Sequence, residues 1–301
     1  MRLGATAVQS GQPAAPDASL LRPQEDDFPK RPSRLSIISR PTATDPEQIL
    51  ASTAVQSQIY RSLPETERAE AVAERILKGI ALGLLKVGER LPSEAALSDM
   101  FGVGLLTLRE ALAGLREQGI VETRRGRSGG TFVVRQPSPQ TDVIREWFLS
   151  TSVSEIRDIG DEHIAIAAAT VRLACERAVP HDFDRLHDLA EALVLAGTPE
   201  ERAPADARFH FELAVAAQSP RLTAAEMRLQ EETVQLLWSP LGVPPDPEAA
   251  AAEHLELVQA VAQDQPETAQ KLVHAHIKRN IFRLIDTKLT LSYTANSQSG
   301  Q

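Results

Sequence analysis

From Thr66 to Leu85 the chain reads TERAEAVAERILKGIALGLL, which places Ala69, Val72, Ile76, Ile80 and Leu84 on one face at helical spacing. The next segment, LPSEAALSDMFG, offers Ser93 as an N-cap, Ala96, Leu97 and Phe101 as an apolar side, and Gly102 as a stop. A third helical stretch, LLTLREALAGLREQG, carries the stripe Leu108, Leu112 and Leu115 and halts at Gly119. Two β-prone runs follow, IVETRR and GGTFVVR, joined through Gly126 to Gly129. Three helices and a hairpin are the layout of a winged helix-turn-helix, predicted over residues 63–136. Beyond the proline-broken QPSPQ, with a linker at 137–140, every segment has helical periodicity. Helices are predicted at 141–151, 154–178, 182–196, 200–217, 221–238, 247–263 and 266–291, separated by Pro- and Gly-containing breaks. The predicted fold is mostly α, with the winged helix followed by an antiparallel all-helical bundle of six or seven helices over 141–293.

The flanks read differently. Residues 1–62 are rich in Pro, Ser, Ala and Gln and are predicted to be a disordered tail, compatible with a short helix over 45–60 marked by Ile49, Val55 and Ile59. Its basic cluster, Lys30, Arg31, Arg34 and Arg40, reads as solvated, with contact to phosphates as the alternative. Residues 294–301 are predicted to be a disordered C-terminus.

Composition changes this picture in two places. The formal net charge is −9, which by itself argues against a polyanionic partner. The charge is uneven, however: residues 137–301 hold 14 basic and 25 acidic residues, whereas 105–135 hold six Arg and three Glu. A phosphate surface depends on the local field, so a basic patch around the hairpin survives the overall sign. The single cysteine, Cys175, excludes an internal disulfide framework and suits a reducing cytoplasm; it reads as a small core residue. No apolar run approaches the roughly 20 residues of a membrane span, and the first residues lack a secretory apolar region, so no membrane association is expected.

Candidate chemistry lies in the second half. Asp206 and His210, in DARFHFEL, are four apart and project from one helix face; His254 in AAEHLELV and His276 in VHAHIKRN sit on two further helices. Three imidazoles and a carboxylate can enclose a divalent transition metal with a position left for water or a ligand. His274, two residues from His276, points elsewhere and reads as solvated. There is no GxSxG, P-loop or strand-borne GxGxxG, and no residue set reads as a catalytic centre.

The segment GERLPSEAALSDMFGVGLLTLREALAGLREQGIVETRRGRSGGTFV resembles the winged helix of GntR-family bacterial transcription regulators. The helical half resembles the ligand-sensing FCD domain of their FadR-like subfamily, through ACERA, DARFHFELAVAAQSPRL, AAEHLELVQAV and AQKLVHAHI in order. The resemblance spans about residues 66–290. It implies a homodimer on a double-stranded DNA operator, with repression the commoner outcome. It also implies a metal, zinc or nickel, held by Asp206, His210, His254 and His276, and a carboxylate-bearing metabolite completing the coordination.

Several positions depart from the family pattern. His163 and Ala167 stand where the first long sensing helix usually carries an Arg followed by a Glu, so His163 becomes the candidate effector-binding residue with a weaker grip on a carboxylate. Ala95 replaces the usual Arg after LPSE, and Gly104-Leu105-Leu106-Thr107 replaces a Ser-Arg-x-Thr-like start of the recognition helix. Thr107 and Arg109, with the wing residues Arg124, Arg125 and Arg127, are the candidate DNA contacts; Leu105 or Leu106 would pack on a thymine methyl. For Arg109 the competing reading is a surface salt bridge, and for the two leucines burial in the domain. Two other functions fit the residues: a metal-dependent hydrolase using the Asp/His group, and a degenerate regulator acting as a protein-interaction module.

Overall fold

The structure, a computed structural model, describes residues 69–126, 129–137 and 141–299. Helix α1 (Ala69–Ala81) buries Val72, Ile76 and Ile80, the stripe its spacing predicts. Helix α2 (Glu94–Phe101) is capped by Ser93, whose Oγ accepts from the Ala96 amide at 3.2 Å, and ends at Gly102 with φ 67°. Helix α3 (Leu105–Glu117) buries Leu108, Ala111, Leu112 and Leu115. Strands β1 (Val121–Arg124) and β2 (Gly130–Val133) pair antiparallel, Val121 opposite Val133. The loop before α2 adds to the same sheet, because the Leu91 amide donates to Thr131 O and the Val133 amide to Glu89 O. This is the expected winged helix-turn-helix.

Seven helices follow among the described residues: α4 (Thr141–Ser150), α5 (Val153–Arg177), α6 (Pro180–Leu195), α7 (Pro199–Ala216), α8 (Pro220–Leu237), α9 (Pro247–Ala262) and α10 (Pro266–Ser299). Several of these prolines are expected from the sequence to be breaks. They are instead the first helical residues, where the missing N–H has no intrahelical partner to lose and φ is already set. Capping boxes at Ser152/Glu155 and Thr198/Glu201 fix the starts of α5 and α7. The long helices α5 and α10 pack along each other, and α7 lies in the middle of the bundle, with twelve of its 18 residues buried.

One expectation is corrected. Residues 294–299 are helical, not disordered: α10 runs to Ser299, well past the predicted stop at 291. No Gly or Pro interrupts 267–299, and the Thr294 and Ser297 hydroxyls bond back to carbonyls three and four residues earlier within the helix instead of competing with it. The predicted tail and its short helix lie outside the described residues, as do 138–140 of the linker. Among the described residues no helix is long and apolar enough to cross a membrane. Cys175 is buried, and burial pushes its thiol up to about 11.

The two halves touch directly. The carbonyls at the end of α1 have no partner within the helix. Ile80 O accepts from Gln136 Nε2 at 2.7 Å, Ala81 O from Gln235 Nε2 of α8 at 3.5 Å, and Gly83 O from Arg208 Nη1 of α7 at 3.4 Å. Lys78, in the last turn of α1, pairs with Glu231 of α8 at 3.3 Å. Gly83, at φ 67°, lies against Pro204 of α7; a Cβ there would meet Pro204 O at 2.7 Å.

Candidate functional site

The bundle gathers the four predicted ligands. Their helices bring side chains from α7, α9 and α10 to one point, and all four are buried. Ligand nitrogens of His210, His254 and His276 lie within 4.8 Å of one another. Asp206 Oδ1 is 3.4 Å from His254 Nε2 and 3.8 Å from His210 Nε2. The longer distance exceeds a hydrogen bond, while two donors each about 2.0–2.1 Å from one tetrahedral zinc would be ~3.3–3.4 Å apart.

Two further observations show that the residues fit a cation. Asp206 Oδ1 and His254 Nε2 are buried without a hydrogen-bond partner, a costly state for polar atoms that a shared ion would relieve. The protonation balance agrees. Burial, then the neighbouring His276, pushes His210 down to about 3; burial with His210 and His276 lowers His254 strongly. Both imidazoles are therefore neutral near pH 7, with lone pairs free to ligate. Burial raises the Asp206 carboxyl, against the pull of His276 and the Trp238 hydrogen bond.

Surrounding side chains hold these four residues in place. Trp238 Nε1 donates to Asp206 Oδ2 at 2.9 Å, and Phe209 stacks on His254 with centroids 3.9 Å apart. Glu253 Oε2 takes His276 Nδ1 at 2.7 Å, which fixes the proton there and leaves Nε2 as the lone-pair nitrogen. Asn280 Nδ2 lies 3.1 Å from that Nε2, within reach of the same lone pair, so a cation held there would displace this contact. Glu253 also pairs with Arg279 at 2.6 Å; although burial would raise it, these two partners hold its carboxyl at about 2.

His163 of α5 lies in the wall of a cavity that also touches Asp206, His210 and His276. Its Nε2 meets Glu226 Oε1 of α8 at 3.1 Å, and Gln230 Nε2 donates to the same oxygen at 2.9 Å. Glu226, Gln230, Trp238 and Asn280 are not expected at the site from the sequence. A glutamate and a glutamine on the buried side of α8, among leucines, a valine and threonines, are the local signal for two of them.

At the DNA-binding end, Leu106 is 81% exposed and Leu105 44%, so both are available and neither is a core residue. Thr107 is half-buried, and Gly104 caps α3 without a side chain. Arg109 is exposed and donates Nε to Glu94 Oε2 at 2.8 Å, so the salt bridge exists and leaves the guanidinium Nη groups outward. Arg124 is paired with Glu122 and lies over the Phe132 ring at 4.4 Å. Arg125 is exposed next to it, and Arg127 lies outside the described residues.

Residues 68–133 match the family described as bacterial regulatory proteins, gntR family, and residues 158–279 match the FCD domain. The chain is 75% identical over 249 residues to "Putative HTH-type transcriptional regulator RmpR" of Mycobacterium gastri, spanning 82% of this chain and 91% of that one. It is 30% identical over 218 residues to "Putative L-lactate dehydrogenase operon regulatory protein" of Escherichia coli K12, spanning 69% and 83%. With the Escherichia coli K12 "Glc operon transcriptional activator" the identity is 26% over 230 residues, spanning 73% and 90%. These relatives are regulators and not enzymes. The chain thus belongs to the GntR family of bacterial transcription regulators, in the FadR-like branch that carries an FCD domain.

Proposed function

We propose that the protein is a homodimeric repressor that binds an operator in duplex DNA through α3 and the wing, and that a small effector beside a divalent metal ion, zinc or nickel, controls that binding. The observation that carries this reading is the placement of α7. It supplies Asp206 and His210 to the ligand group, while its Pro204 and Arg208 rest on Gly83 of the winged helix. A shift of this helix at the ligand group therefore acts directly on the DNA-binding domain, and coupling does not depend on the linker alone. A bound divalent ion supplies positive charge and a Lewis-acidic contact for the effector. Asp206, His210, His254 and His276 would hold it, with Trp238 and Glu253 orienting Asp206 and His276.

On the DNA side, Arg109 aims its remaining N–H groups at a base edge with Glu94 as brace, and Leu105 and Leu106 offer thymine-methyl contacts. Thr107, Arg124, Arg125 and Arg127 add backbone contacts. A single winged helix gives modest affinity, which favours a dimer on two half-sites. The hydrolase alternative lacks support: Glu253, the carboxylate nearest the ligands, is tied to His276 and Arg279 and is not free to act as a base.

Fluorescence anisotropy on duplexes from the gene's own upstream region tests the proposal. A sequence-preferring complex is expected that weakens steeply with salt. Equal affinity for that duplex and a shuffled one at moderate salt would refute it.

A further inference from the structure

The outer side of α10 carries an apolar and charged stripe that nothing in the chain covers. Lys271, Ala275, Lys278, Phe282, Asp286, Leu289 and Tyr293 follow one another at steps of four or three, so they share one arc of the helix about 80° wide. All are exposed except the half-buried Ala275, while Val273, Ile277, Leu284 and Leu291 on the opposite side are buried in the bundle. Phe282, Leu289 and Tyr293 are 58%, 55% and 76% exposed. Among the described residues neither Lys278 nor Asp286 has an ion-pair partner; Lys278 leans over the Phe282 ring, 5.9 Å from its centroid. Beside the stripe, a groove of about 230 Å³ opens between α5 and α10, walled by Ile164, Ile281 and Ile285.

The stripe is complementary to itself about Phe282. Lys278 and Asp286 lie four residues either side of it, Ala275 and Leu289 seven, and Lys271 and Tyr293 eleven. When a second α10 is laid antiparallel on the first, with a two-fold axis at Phe282, every one of these pairs meets across the contact. The two Phe282 rings lie together on the axis, and Lys278 faces the partner's Asp286. Leu289 enters the space beside the partner's Ala275, and the Lys271 ammonium reaches the ring of the partner's Tyr293. A parallel contact would instead set lysine on lysine and aspartate on aspartate, so the charges select the antiparallel one.

From this complementarity we infer that α10, with α5 beside it, is the face through which two copies of this chain pair, antiparallel and centred on Phe282. The inference rests on the homodimer reading above and names its surface. From Lys271 to Tyr293 the stripe runs about 33 Å, and with α5 the face is two helices wide, roughly 700 Å². That approaches the ~800 Å² per partner of a stable protein–protein interface. A small molecule could fill the groove but not span this length, whereas a second α10 matches it residue for residue.

Sedimentation velocity of the full chain over a dilution series reads the dimer dissociation constant. Lys278→Asp and Asp286→Lys each set like charges together at two symmetry-related points, and each is expected to weaken the dimer about tenfold or more. The double variant Lys278→Asp, Asp286→Lys exchanges the charges in register and is expected to return the constant to within about threefold of the wild type. Both side chains are exposed, so the fold does not depend on them. Phe282→Cys is expected to form a disulfide-linked dimer under mild oxidation, because a residue on the axis faces its own copy; Leu195→Cys, at a position 84% exposed on α6, is not. A wild type that stays monomeric throughout the series overturns the homodimer reading and this inference together. A dimer that neither single variant weakens, one that the double variant does not restore, or equal cross-linking of the two cysteine variants overturns the α10 face alone and leaves the homodimer reading standing.

Discussion

Replacing Gly83 with alanine probes the contact through which α7 meets the winged helix. Gly83 has φ 67°, and a Cβ placed on it lies 2.7 Å from Pro204 O and 3.2 Å from both Pro204 C and Pro204 Cβ. Two separate penalties follow. The left-handed backbone costs about 1–2 kcal/mol for an L-residue with a side chain. The collision is with main chain of a buried helix, which cannot rotate away, so overpacking adds about 1–3 kcal/mol. Gly88→Ala is the matched control, because Gly88 has φ 88° and nothing within 4 Å of its Cβ position. Urea unfolding should therefore rank the variants wild type, then Gly88→Ala, then Gly83→Ala, with the last two differing by about 1–3 kcal/mol. Gly83→Ala should also diminish the ratio of DNA affinities measured with and without metal, while Gly88→Ala leaves that ratio intact. Equal destabilisation by the two substitutions, within about 0.5 kcal/mol, would refute the argument that Pro204 bears on the winged helix.

Two further outcomes are expected. With chelator present, stability should fall on acidification from pH 7 to 5. His210, held at about 3 when folded, and His254, also depressed, stay neutral in the native state while the unfolded chain takes up protons near its ordinary value of 6.5. Each contributes about 2 kcal/mol of loss over that interval, offset in part by Asp206, whose carboxyl burial raises so that it takes up a proton more readily folded than unfolded; unfolding free energies that do not change between pH 7 and 5 would contradict the neutral assignment. Arg109→Ala should lower affinity for the preferred duplex by about 1–3 kcal/mol and relax preference at one base pair, whereas Arg125→Ala should weaken all duplexes alike and reduce the salt slope by about one; competition binding with single-base variants distinguishes the two.

The order of elements was legible in the sequence because each winged-helix segment carries its own local signal: the Ile76–Ile80 stripe, the Ser93 cap, the Gly102 stop and the alternating hairpin. Asp206 and His210 were legible for the same reason, a one-turn spacing on one helix. What stayed hidden is long-range. Glu226 meets His163 across 63 residues and Trp238 meets Asp206 across 32, contacts that no periodicity within one helix encodes. Glu94 and Arg109 are 15 apart on different helices, and only the turn between α2 and α3 brings them together. The end of α10 was misread because Asn and Ser weigh against helix on average. In a helix already nucleated and packed along α5, continuing it costs little.

Buried Asp206, His210, His254 and His276 are expected to form a working metal site in this regulator. Elemental analysis of the purified chain, loaded with zinc(II) or nickel(II) and dialysed to remove loose ions, tests it most directly. About one tightly held ion per chain is expected, falling to background in Asp206→Ala and His254→Ala. An ion content at background in the wild type, or one unchanged by both substitutions, would contradict it.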